Sequence, residues 1–279
     1  MLRPRLPRIA LGLRRSLHQM PPLKHDFTRG VPGLLSADGF SIAWTEYQGL
    51  MLEHLNRLTV DTPEHSKSPK EVLLKYARDP NAAAIFNYAS MAHNNAFFFQ
   101  GLTPEPTQMP EALKKELENS FSSIDTLKRE LIATANSMFG PGFVWVVKSK
   151  SEKYSILTTY LAGSPYPGAH FRKQPVDMNT ENDADHNRRA IMDSDPVNTV
   201  GSHGRLSKQQ PKLAPGGIDV IPVLCLNTWE HVYLRDYGVG LNGHGGKRMF
   251  ADSWWETIDW AVVANHAQIK APSSKRFQI

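Results

Sequence analysis

Between residues 225 and 231 the chain concentrates side chains that could do chemistry. They are a thiol at Cys225, a carboxamide at Asn227, a carboxylate at Glu230 and an imidazole at His231, with Trp229 beside them. An imidazole next to a carboxylate could bind a metal ion or move a proton. Asn227 offers only a neutral amide oxygen, a poor partner for a transition ion. Cys225 is the one cysteine and lies in the apolar run Ile218–Cys225. No intrachain disulfide can form, and the thiol reads as a buried structural group. His170, His186 and His203 lack the spacing of metal ligands. The Gly-rich turn from Gly238 to Gly246 follows no strand and lacks phosphate-loop spacing, so it carries no nucleotide role.

Elements must position these groups. The run Ile218–Leu226 predicts a buried strand that leads into a helix over Trp229–Asp236. Upstream, Phe40, Trp44, Tyr47, Met51, Leu55 and Leu58 recur at spacings of three and four, which predicts a helix from Asp38 to Val60. A second helical stretch runs from Lys70 through Phe99 with a break at Asp79-Pro80, and the two make a helical hairpin. A Pro-rich linker, Thr103–Pro110, precedes a short helix at Glu111–Glu118. A further helix starts at Ser122-Ser-Ile-Asp125 and stops at Gly140-Pro141-Gly142. The period then changes to two, giving strands at Phe143–Lys148 and Tyr154–Tyr160. A last helix is expected over Asp252–Ala264. The expected fold is α+β: an N-terminal helical hairpin, then a three-stranded antiparallel sheet with flanking helices.

The chain has 279 residues, 41% apolar and 21% charged, which bounds it to one or two domains with an ample core. No apolar stretch approaches the roughly 20 residues that span a bilayer, so no membrane partner is expected. Arg3, Arg5, Arg8, Arg14 and Arg15 precede the first acid, Asp26, amid leucines. That is the profile of a mitochondrial transit peptide, with cleavage expected between Arg15 and Pro21. A cut after Arg15 removes five arginines from a formal charge of +5, leaving the mature chain about neutral. The basic balance therefore says little about nucleic-acid binding. The expected division is a leader at 1–20, a hairpin domain at 21–104 and an α/β domain at 105–279. Residues 165–217 form a polar insertion too poor in apolar side chains to fold alone.

Asn227-Thr-Trp-Glu-His-Val-Tyr233 resembles the signature Asp-x-Trp-Glu-His-Ala-Tyr of iron/manganese superoxide dismutases. Phe86–Pro104 is similar, without gaps, to that family's second-helix segment. Gly140-Pro-Gly-Phe-Val-Trp-Val146, Ser155–Gly163 and Thr257-Ile-Asp-Trp260 resemble its later segments in the right order.

The resemblance implies four metal-ligand positions: three His and one Asp. They fall on Ala43, Asn95, Asn227 and His231, so only the last ligand is kept. Ala43 has no donor, and two neutral amides beside one imidazole would hold a redox ion weakly. The family's gating Tyr corresponds to Met51. Its active-site Gln corresponds to Met91 or Phe139, and none of these side chains can relay a proton. The polar site reads as refilled with amides, sulfur and aromatic rings, with Asn95 and Asn227 satisfied by local backbone and His231 a hydrogen-bonded structural residue. No metal, no cofactor and no catalytic residue are expected. In the family the Glu-His pair reaches across a subunit interface, which implies a dimer role for Glu230 and His231.

A dismutase-like fold, a mitochondrial address and lost ligands together resemble the superoxide-dismutase-like proteins of the fungal mitochondrial small ribosomal subunit. The implied function is a structural constituent of that subunit in the matrix, without catalysis or small-molecule substrate. It would pair with a related dismutase-like subunit and contact other ribosomal proteins. Arg172-Lys173, Arg188-Arg189 and Lys247-Arg248 could touch rRNA phosphate. The alternative is an active or regulatory manganese or iron enzyme of the matrix, a superoxide dismutase, with His231 and Asn95 among its ligands.

Overall fold

The computed structural model describes residues 17–77, 79, 81–166, 169 and 220–269. Residues 1–16 of the expected leader, nearly all of the insertion with its three histidines, and the pairs Arg172-Lys173 and Arg188-Arg189 lie outside the described residues.

The first amphipathic run forms a continuous helix with one irregularity. α1 (Ala37–Phe40) passes through a π turn (Ser41–Glu46) into α2 (Tyr47–Thr59). Single π turns inside α-helices recur at functional sites, and this one carries Ala43. Ser36 caps α1 by accepting from the Gly39 amide at 3.0 Å. Gly39 has a packing reason: a Cβ there would lie 2.1 Å from a carboxylate oxygen of Asp236. That carboxylate accepts from both the amide and the hydroxyl of Ser36 and ties the hairpin to the C-terminal half.

The second helical stretch is two helices, α3 (Pro69–Tyr76) and α4 (Ala83–Gln100). α3 opens on a full capping box between Ser68 and Glu71. α5 (Glu111–Phe121) and α6 (Ile124–Ser137) follow. The cap of α6 is Ser123, whose hydroxyl accepts from Thr126 N, rather than the expected Ser122. Ser122 instead ends α5 in the left-handed region, at φ 68°.

The sheet has the order β2-β1-β3, antiparallel throughout, with β1 (Gly142–Ser149), β2 (Tyr154–Tyr160) and β3 (Val220–Asn227). Buried on both faces, β1 reads as a nearly unbroken apolar run. The edge strand β2 alternates more openly. α7 (Glu230–Tyr237) leaves β3 at the chemistry-bearing string.

The helix expected over Asp252–Ala264 is in fact two, α8 (Gly246–Trp255) and α9 (Trp260–His266). Between them the chain pairs with the segment after α4: Thr103 N donates to Thr257 O at 2.8 Å and Asp259 N to Gly101 O at 2.9 Å. Asp259 then caps α9. One apolar cluster runs from Phe27 through α4 and the sheet to α9, centred on Phe98, Phe99, Trp145 and Trp254. It holds the π turn, α4, the end of β3 and the start of α7 against one another.

Candidate functional site

The fold brings Asn95 of α4 and Asn227 of β3 into direct contact. Both are fully buried. Asn227 Nδ2 donates to Asn95 Oδ1 at 3.1 Å, and Asn227 Oδ1 accepts from the Trp229 amide at 3.0 Å. Asn95 Nδ2 in turn donates to the Ala43 carbonyl of the π turn at 3.2 Å and to Gln48 Oε1 at 3.1 Å. Gln48 Nε2 closes the run on the Ala92 carbonyl at 2.9 Å. Reversing the Asn95 amide would set donor against donor toward Asn227 and acceptor against acceptor toward Ala43 and Gln48, so the chain fixes its own orientation.

These amides are therefore satisfied partly by backbone, as expected, and partly by each other and by Gln48. The sequence reading missed Gln48. Its signal is a polar side chain, buried to 1% exposure, on the stripe of Trp44, Met51, Leu52 and Leu55. An unpaired buried amide costs about 1–3 kcal/mol, so three amides arriving together is a more stable solution than any one alone.

His231 sits in the first turn of α7, half-buried, with its ring stacked on Tyr47 at 3.7 Å between centroids and 19° between planes. Its Nε2 is enclosed and has no hydrogen-bond partner among the described residues. The expectation of a hydrogen-bonded histidine thus gives way to a stacked one. Burial pushes its pKa down to about 4, so the ring is neutral near pH 7. Tyr47, also moved by burial, is pushed up to about 12 and keeps its proton.

Met51 and Met91 are buried, in keeping with a refilled interior. Phe139 is not part of it: the ring is 97% exposed, on the turn before β1, which corrects its place in the expected filling. Of the described basic pair, Lys247 turns inward and donates to the Met138 carbonyl at 2.5 Å, leaving only Arg248 exposed. His93 is bonded to Tyr166 at 2.7 Å, away from the amide chain, and burial lowers its pKa to about 3.

The donor set does not fit the ion that the fold implies. Among the described residues, no group of three or more His, Cys, Asp or Glu side chains could hold a metal. The oxygens of Asn95 and Asn227 are already accepting hydrogen bonds, and Ala43 contributes a carbonyl that is also engaged. Among the described residues at these four positions, His231 Nε2 is the ligand-type atom left without a partner, and a single imidazole does not make a redox site.

The family description "Iron/manganese superoxide dismutases, C-terminal domain" matches residues 109–176 and 202–266. The chain is 30% identical over 208 residues to "Small ribosomal subunit protein mS42" of Schizosaccharomyces pombe, covering 72% of this chain and 74% of the relative. To "Small ribosomal subunit protein mS43" of the same organism it is 27% identical over 255 residues, covering 88% and 82%. "Superoxide dismutase [Fe]" of Plasmodium falciparum is 21% identical over 242 residues, covering 86% and 91%. The chain thus has the α+β fold of the iron/manganese superoxide dismutases and belongs to the family of the small ribosomal subunit protein mS42.

Proposed function

We propose that this chain is a structural constituent of the mitochondrial small ribosomal subunit, working in the matrix as a dismutase-fold scaffold without catalysis. The similarity to two small-subunit proteins carries the ribosomal assignment. The closed run from Gln48 through Asn95 to Asn227 supports the absence of redox chemistry, because it consumes the atoms a metal would need.

The scaffold pairs with a second, related dismutase-fold subunit. Glu230 and His231 stand half-buried at the N-terminal end of α7, where a carboxylate also suits the helix dipole. Phe139 is exposed on the neighbouring turn, where Lys247, bonded to Met138, lies in the electrostatic field of Glu230. An apolar ring, an acid and an imidazole on one face are the ingredients of a specific protein contact. Protein contacts dominate; of the described pair Lys247-Arg248, it is Arg248 that is exposed and can meet rRNA phosphate.

Sedimentation of mitochondrial lysate tests the assignment. The chain should run with small-subunit rRNA and shift with it when the ribosome is dissociated. A chain that stays in the light fractions while the rRNA runs heavy contradicts the assignment.

A further inference from the structure

Chain termini fray unless something ties them down, yet residue 18 is held on three sides. The His18 amide donates to Asn56 Oδ1 at 2.8 Å, and Asn56 Nδ2 donates back to the His18 carbonyl at 3.0 Å. One side chain of α2 thus holds this residue as a neighbouring strand would. The imidazole is buried, with Nε2 3.3 Å from Thr59 Oγ1, and the ring stands edge-on to His65 at 6.2 Å. His18 therefore joins the end of α2 to the turn at Pro63–Ser66 that leads into α3.

The neighbours do not share this role: Leu17, Gln19 and Met20 are exposed. The next anchors are Lys24, paired with buried Asp259 at 2.6 Å, and Phe27 in the core. In sequence, the leader's last arginines are Arg14 and Arg15, three residues before the first anchor.

Resting on the mitochondrial reading above, we infer that the precursor is cut on the N-terminal side of His18, just after the Arg14-Arg15 pair, so that the mature chain keeps this anchor. The step is hydrolysis by a matrix endopeptidase. Water adds across one peptide bond, leaving a carboxylate on the leader and an ammonium group on the mature chain. A cut anywhere from Gln19 onward would strip Asn56 and Thr59 of their partner and open the face of His65.

The test is the N-terminus of the chain recovered from mitochondria, read by intact mass and N-terminal peptide identification. The first residue should fall between Arg15 and His18. A first residue at Gln19 or later, in a chain that still runs with the small subunit, overturns this inference and leaves the ribosomal reading standing. A chain that keeps Met1 and stays outside mitochondria overturns both.

A second measurement isolates the anchor. A chain starting at Leu17 should melt roughly 2–4 °C above one starting at Gln19. Asn56→Ala should lower the melting temperature of the first and hardly change that of the second. Equal melting temperatures for the two chains would contradict the inference.

Discussion

Two neighbouring regions of this molecule have been treated in opposite ways. In the run from Gln48 through Asn95 to Asn227, every amide is hydrogen-bonded and nothing faces outward. A few residues on, Trp229 and His231 each keep an enclosed nitrogen with no partner among the described residues, Glu230 is half-buried and Phe139 is exposed. The first region is finished within the chain. The second is not: two enclosed nitrogens lack partners among the described residues, and an aromatic ring stands in solvent beside them. The difference teaches that hydrogen-bonding demand is met in the amide run and left open at the start of α7.

Breaking the finished region should have the largest effect. Asn95→Leu leaves Asn227 Nδ2, Gln48 Oε1 and the Ala43 carbonyl without their partner. Urea unfolding should show a loss of about 3 kcal/mol. Gln48→Met should cost less, and the double variant less than the sum of the two, because both remove the same bond.

The unfinished region should behave differently. Glu230→Lys should cost the isolated chain about 1 kcal/mol, from the helix dipole and Lys247 alone. Its association with the small subunit should weaken by about 2 kcal/mol, roughly thirtyfold, in a co-sedimentation titration. Equal loss from stability and from association would erase the contrast between the regions.

The stacked imidazole sharpens the comparison through pH. Its folded pKa, about 4, lies below the ordinary unfolded value of about 6.5. The unfolded chain therefore binds more protons between these values. The stability this ring contributes is fully present above pH 6.5 and is lost as pH falls toward 4. His93 acts in the same direction, down to about 3. His231→Gln should reduce the loss of unfolding free energy as pH falls from 6.5 toward 4, by about 1 kcal/mol at pH 4.5. The smallest effect belongs to Phe139→Ser, which should leave the unfolding midpoint within about 0.5 kcal/mol while reducing self-association of the isolated chain.

Much of the site could be read from local strings. Asn227, Glu230 and His231 sit within five residues, and Asn95 lies in a gapless helical segment, so the resemblance to the dismutase family can assign each a ligand or interface position by number. Gln48 was harder, because its partner is 47 residues away and the pairing is made by packing of α2 on α4. The stacking of His231 on Tyr47 was out of reach for the same reason. The resemblance places Phe139 in the filling because it corresponds to the family's active-site Gln; only the course of the turn before β1 shows that it faces solvent.

The fold followed its periodicities closely except where the chain ends one helix to begin another. Ser122 and Ser123 are the same type of residue, and a positive φ at the first decides which one caps α6. The break between α8 and α9 is set by the bridge from Leu102 to Ile258, a contact between distant segments with no local sign.

The central claim is that the amide run has taken over the atoms a redox ion would use. Elemental analysis of the chain, purified from cells grown with manganese and iron, tests it directly. Well under one tenth of an equivalent of either metal per chain is predicted, unchanged by refolding in excess manganese. A stoichiometric ion, retained through dialysis and lost on Asn95→Leu, would contradict the account.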